Sequence, residues 1–264
     1  MRKSFLPLVS ACVILIAIVT FVACTNVPDS GRKQFNLLSP GKEAALGFSE
    51  FEKIKKQRPI SRDPQYNAML QRVGARLSKV MPVPNAEWEF LVFEDDSPNA
   101  FALPGGKVGV HTGIFKITGN EAGLASVVGH EVAHVVARHS GERVSQGVVS
   151  AVAVAGASEL IGRKTDSRGA QVAGTTALGG IAMLQNRAFS RQQELEADQL
   201  GALYMARAGY DPRESVELWK RFAAYKDQAG QGGGPAILST HPVDEVRIRA
   251  LEQFMPRALQ EYRR

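Results

Sequence analysis

The tightest constraint on this chain is the run His130-Glu131-Val132-Ala133-His134, set in a stretch that has almost no other polar residue. On an α-helix, residues four apart share a face, so the two imidazoles project side by side from adjacent turns. Glu131 sits about 100° around the helix from His130. Leu124, Ala125, Val127, Val128, Val132, Ala133, Val135 and Val136 surround these groups, and a helix so apolar is buried on most sides. Buried imidazoles need partners. A divalent metal satisfies both, since two neutral His nitrogens take two corners of a Zn²⁺ tetrahedron. Thr118-Gly119-Asn120-Glu121 reads as a capping box opening the helix. Gly129 weakens a helix by about 1 kcal/mol relative to Ala, which is tolerable where another backbone must come close. Arg138-His139 places positive charge at the helix C-terminus, as the macrodipole favours. His139 follows His134 by five residues, falls off the ligand face and is expected to be structural.

A two-His zinc site that performs chemistry needs a third protein ligand and a position left for water. The carboxylates for it occur in Ser190-Arg191-Gln192-Gln193-Glu194-Leu195-Glu196-Ala197-Asp198. Glu194 and Asp198 share a helix face, whereas Glu196 points nearly the other way and is expected at the surface. One of the sharing pair can bind zinc while the other holds a ligand imidazole through its second nitrogen. Such a site uses one Zn²⁺ per chain.

Around these helices the pattern is α+β and predominantly helical, with a small sheet beside the two-His helix. One helix is expected from Ser39-Pro40 to about Lys56, and another from Asp63-Pro64 to Val80, with Tyr66, Leu70, Val73 and Leu77 on its apolar face. Trp88 to Phe93 and Val108 to His111 read as strands joined through Asn99 to Gly106, with a tight turn at Gly105-Gly106. An exposed edge of this sheet can take a peptide as an extra strand; a plain scaffold hairpin fits the same residues, and His111 lies within it. Residues 144–188 are rich in Ala, Gly, Val and Ser and suit two close-packed helices around a polar break at Arg163 to Arg168, or a hairpin lying against a membrane. Neither apolar part is a good transmembrane span.

The N-terminus reads as a secretion signal over residues 1–23: Arg2-Lys3, an apolar run from Leu8 to Val22, then Ala23-Cys24. Phe21-Val22-Ala23-Cys24 resembles a bacterial lipobox, which makes Cys24 the lipidated first residue of the mature chain; an uncleaved anchor is the alternative. Thr25 in the next position resembles the enterobacterial sorting pattern for the outer membrane, with the inner membrane still open. Residues 24–38 then form a polar tether, and residues 39–264 the catalytic domain. The only cysteines are Cys12 and Cys24, so that domain has no pair for an internal disulfide. The formal charge of +6 includes Arg2 and Lys3 of the signal, and no basic block precedes Arg263-Arg264, so nucleic acid is not an expected partner.

The combination of His-Glu-x-x-His, Ser-Arg-x-x-Glu-x-x-Ala-Asp and a late Ser239-Thr240-His241-Pro242 resembles the zinc peptidases that include the HtpX heat-shock protease and the type-1 CAAX prenyl protease. The likeness runs from about Asn36 to Leu251 and includes Asn99-Ala100-Phe101-Ala102 and Gly209-Tyr210-Asp211-Pro212. It implies a zincin-like metallopeptidase in which His130, His134 and Glu194 bind zinc and Glu131 is the general base. Asp198 is then expected to support a ligand ring. Those two relatives span the membrane several times, whereas this chain offers no convincing transmembrane helix after its signal, so it resembles the short lipoprotein branch instead. The expected function is hydrolysis of misfolded or misassembled envelope proteins, by an enzyme lipid-anchored at the periplasmic face of a bacterial envelope. The competing expectation is a zinc-containing chaperone or assembly factor with weak or latent peptidase activity. A structural zinc site is disfavoured, since three ligands are evident and structural sites are usually closed by four. His241, restricted by Pro242 to extended backbone, is expected to stabilise the oxyanion; a fourth-ligand role would instead mean a self-blocked site.

Overall fold

Proline in the first turn opens both N-terminal helices, where its missing N–H costs nothing. In the computed structural model, which describes residues 24–160, 189–229, 237–242 and 244–262, these are α1, Pro40–Gln57, and α2, Pro64–Leu77. Asp63 caps α2 by accepting from the backbone of Gln65 and Tyr66, and Leu70, Val73 and Leu77 are buried as their spacing requires. The signal read over residues 1–23 and the second small-residue helix expected before Phe189 lie outside the described residues.

The sheet departs from the expected hairpin. Strands β3, Glu89–Phe93, and β5, Lys107–His111, are parallel neighbours, and the segment joining them contains a further strand, β4, Ala100–Leu103. β4 pairs antiparallel with β5 and forms the edge of the order β3-β5-β4. Four residues, two of them Ala, carry too weak an alternation to read as a strand without the partner. Gly105 and Gly106, both at φ 86°, make the predicted tight turn, which joins β4 to β5. The outer side of β3 is bridged by Ile60 opposite Phe93, and β4 packs against the two-His helix.

That helix is α4, Glu121–Val136, preceded by the short α3, Phe115–Thr118. Its cap is Asn120, whose side chain accepts from the Gly123 N–H at 2.8 Å. Thr118 ends α3 instead of opening α4, because Gly119 in left-handed backbone, φ 69°, breaks the chain between them. Every residue from Gly123 to Val136 is buried. Next come α5, His139–Leu160, and α6, Arg191–Arg207, the latter opened by a Ser190/Gln193 capping box. The last helices are α7, Arg213–Ala229, the one-turn α8, Ile237–Thr240, and α9, Glu245–Tyr262. α6 lies between α4 and α9. At the α4/α6 contact the glycines meet: a Cβ on Gly201 would stand 2.9 Å from the His130 backbone N, which is the close approach that Gly129 suggested.

The described residues divide into two compact units, one within residues 40–140 and 189–262, the other within residues 24–39 and 141–160. The first holds the three-stranded sheet and the two-His helix. In the second, β1, Cys24–Asn26, and β2, Lys33–Phe35, form an antiparallel hairpin. Arg32 donates to both oxygens of Glu142 at 2.8 and 2.9 Å, and the Leu37 N–H donates to Ser145 Oγ at 2.8 Å. The stretch expected to be a plain tether is therefore structured: the polar residues that read as a linker supply hairpin and ion-pair contacts. Among the described residues, no helix is long and apolar enough to cross a membrane.

Candidate metal centre

The glycine contact between α4 and α6 brings the two halves of the predicted site together. His130 and His134 project from α4 with their Nε2 atoms 3.2 Å apart. Glu194, in the first turn of α6, approaches both rings at 3.5 Å. Asp198, one turn on, lies 2.9 Å from the other nitrogen of His130, the supporting position expected for it. Glu131 is also buried here, and its Oε1 has no hydrogen-bond partner among the described residues.

His241 joins the same cluster. Its Nδ1 lies 2.9 Å from Glu194 Oε1 and 3.2 Å from His130 Nε2, and its Nε2 lies 3.5 Å from Glu131 Oε1. His130, His134, Glu194 and His241 each offer one donor atom, and the four atoms lie within 4.8 Å of one another. All four residues are buried. The His241-Pro242 corner after α8 turns the ring inward, toward Glu194, His130 and Glu131. Its backbone N–H donates to Ile237 O at 2.8 Å, and the Pro242 carbonyl accepts from Arg247 at 2.9 Å.

Burial and neighbouring charge pull these groups in opposite directions. Burial disfavours a charged His130, yet Asp198 and Glu194 outweigh it and raise that ring to about 9. Burial likewise opposes the Glu194 charge, but His130 and His241 hold its carboxyl well below the usual range. His134, desolvated, is pushed well below the usual imidazole value. Burial raises the Glu131 carboxyl. Nitrogen lone pairs and a carboxylate converge on a centre that favours positive charge, and imidazole with carboxylate is a donor set suited to zinc. The residues fit a divalent cation.

Two features were not read from the sequence. Arg247 of α9 is 2% exposed and pairs with both oxygens of Asp198 at 2.8 Å and with Glu194 Oε2 at 2.8 Å, its guanidinium 4.3 Å from the Trp219 ring centroid. The signal was present: Arg247, Leu251, Met255 and Ala258 form the buried stripe of α9, and an Arg on an apolar stripe needs a buried acid. The second is Glu196, which is not at the surface. It is 7% exposed and lies 2.8 Å from His139 Nε2. α6 is buried on nearly every side, so the face opposite Glu194 also packs against protein. His111, at the end of β5, faces Arg58 and Asp95 and is not among the cluster's ligands.

The sequence profile of Peptidase family M48 matches residues 64–255. Mitochondrial metalloendopeptidase OMA1 of Schizosaccharomyces pombe is 35% identical over 242 residues, covering 90% of this chain and 68% of that protein. The Saccharomyces cerevisiae protein of the same name is 31% identical over 254 residues, covering 90% and 70%. Beta-barrel assembly-enhancing protease of Escherichia coli is 30% identical over 228 residues, covering 84% of this chain and 46% of its own length.

Proposed function

The chain belongs to peptidase family M48 and is a metallopeptidase, and we propose that it is a zinc endopeptidase lipid-anchored at the periplasmic face of a bacterial envelope, cutting misfolded or misassembled envelope proteins. The observation that carries the chemistry is the convergence of His130, His134 and Glu194, with the unpartnered Glu131 oxygen beside them. His130, His134 and Glu194 hold the zinc, and Asp198 fixes the His130 ring from behind. Bound there, zinc supplies Lewis acidity and brings the pKa of a water to about 7. Glu131 takes the proton from the attacking water and delivers it to the leaving amine. A carboxyl raised by burial suits a group that must carry a proton for part of the cycle. The outer edge of β4, beside α4, offers backbone groups to an extended substrate.

His241 adds a resting state to this reading. Catalytic zinc sites keep three protein ligands and an open position; His241 as a fourth donor would fill that position, and a zinc held by His130, His134 and Glu194 alone would leave it free. Placement at the envelope is supported by the Cys24 leader and by similarity to the Escherichia coli protease named above. Thr25 after the lipidated Cys24 directs the chain to the outer membrane in preference to the inner.

Digestion of casein by the purified protein tests the reading. Cleavage is expected to stop with a chelator and return with zinc. Glu131→Gln is expected to keep one zinc per chain and lose at least 10²-fold in rate, as loss of a general base does. Cleavage that persists after chelation, or in Glu131→Gln at the wild-type rate, overturns it.

A further inference from the structure

Behind the metal-facing cluster lies a second row of buried polar groups that the reaction above does not use. His139 is fully buried, with its Nδ1 2.8 Å from His134 Nδ1 and its Nε2 2.8 Å from Glu196 Oε2. We propose that His139, oriented by Glu196, is a positioning residue that fixes the tautomer and direction of His134 as a metal ligand. The inference rests on the zinc reading of the site and deepens it.

The geometry carries the argument. A His134 that offers its bare Nε2 lone pair to a metal carries its hydrogen on Nδ1, and that nitrogen faces His139 Nδ1 at 2.8 Å. The other ring nitrogen of His139 faces a carboxylate, Glu196, which accepts from it. His134 Nε2 is then bare, pointing at His130 Nε2 and Glu194. Without His139, the hydrogen of His134 is free to sit on Nε2 and block the donor position. His130 is held in one step, through Asp198 beside its Nδ1. His134 is held in two: its Nδ1 faces His139, and His139 spans the gap to Glu196.

The backbone around His139 is built to hold this ring in place. Arg138 adopts left-handed backbone, φ 52°, a conformation costly for any residue but glycine. Its guanidinium is tied to Glu43 of α1 through Nε at 2.9 Å and Nη2 at 3.0 Å. The reversal at Arg138 starts α5 at His139 and turns the ring back under the last turn of α4. Phe189 stacks on the His134 ring at 4.0 Å between centroids and limits its rotation. A chain His134-His139-Glu196 buried among apolar residues is a poor choice for packing alone, since a phenyl ring at position 139 would fill volume without burying a carboxylate.

Zinc affinity of the purified full chain, measured by chelator competition, tests the proposal, with thermal unfolding of the metal-free protein as the folding control. His139→Ala and Glu196→Gln are expected to weaken zinc binding by about 10–100-fold, as loss of a ligand's outer partner does. Glu196→Gln is nearly isosteric and guards against a folding failure in His139→Ala. Its amide can also donate, so the fixed tautomer is lost while the volume stays. Histidine ¹⁵N spectra of the metal-free wild type are expected to show His134 protonated at Nδ1 and His139 at Nε2; in Glu196→Gln His134 is expected as a tautomer mixture. Wild-type zinc affinity in Glu196→Gln, or His134 protonated at Nε2 in the wild type, overturns the relay. A wild-type chain that binds no zinc overturns the metal reading instead.

Discussion

Arg247→Met is the sharpest stability test of this site, because Arg247 compensates two buried acids at once. Its guanidinium contacts Asp198 Oδ1 and Oδ2 and Glu194 Oε2, all at 2.8 Å. Met approximates the volume of the Arg stem, so the cavity cost is small and the loss is mainly electrostatic. Breaking a buried pair by removing one partner costs about 3–5 kcal/mol, since the remaining charge is left uncompensated. For a domain of this size each kcal/mol moves Tm by roughly 2–4 °C, so the metal-free variant is expected to melt about 6–20 °C below wild type. Zinc offsets the Glu194 charge and not that of Asp198, so the deficit is expected to shrink with zinc and not vanish. Circular dichroism melts at pH 7, with chelator and with zinc, measure both values. A chelated variant within about 1 kcal/mol of wild type would refute the claim that Arg247 is the counter-charge of the site.

The same substitution carries a pH signature. Burial works against the Asp198 charge, but Arg247 and His130 outweigh it and lower its carboxyl below the usual value. A carboxyl lowered on folding contributes stability above its unfolded pKa of about 3.9, and this is lost as pH falls through the folded value. In Arg247→Met burial prevails over the remaining partner, the folded carboxyl rises, and the acid-unfolding midpoint is expected to move toward neutral pH.

Gly201→Ala is expected to cost about 1–3 kcal/mol as an overpacking change, because its Cβ would stand 2.9 Å from the His130 backbone N and push α4 from α6. Weaker zinc binding should accompany the lower melt, and wild-type values in both refute the close contact. His241→Ala is expected to retain zinc on three ligands and to raise basal casein cleavage by freeing the fourth position; a 10²–10³-fold fall in kcat would instead restore the oxyanion role. Cys24→Ser is expected to move the protein out of the membrane fraction or leave it unprocessed, read by fractionation and by mass spectrometry of the N-terminus. An unmodified, uncleaved wild-type N-terminus in membranes would defeat the lipid anchor.

Legibility from sequence followed the reach of each interaction. The α4 helix and the His130/His134 pair are local, set by a four-residue spacing and an apolar background, and the structure shows them where the pattern put them. Glu194 and Asp198 were readable because both belong to one helix whose start is marked by Ser190. What escaped depends on a partner far along the chain. β4 is a strand only because β5 pairs with it, and Arg247 matters only because α9 packs on α6. The misplaced α4 cap is a different failure: the Thr118 to Glu121 spacing was acceptable, but Gly119 ends a short helix there that the apolar pattern did not announce.

The error over Glu196 is the instructive one, because the angular argument behind it was sound. Glu196 does point away from Glu194, yet a direction away from the metal is a direction toward solvent only on a surface helix. α6 is buried from Gln193 to Ala206 almost without a break. Each acid on such a helix must then meet a buried partner on its own side. Glu194 meets His241 and His130, Asp198 meets Arg247 and His130, and Glu196 meets His139. Burial of α6 on nearly every side thus turns one helix into the support for both imidazoles of α4, one directly and one through an intervening ring. It also follows that mutations along α6 will not add independently, since Glu194, Glu196 and Asp198 act on a shared pair of imidazoles.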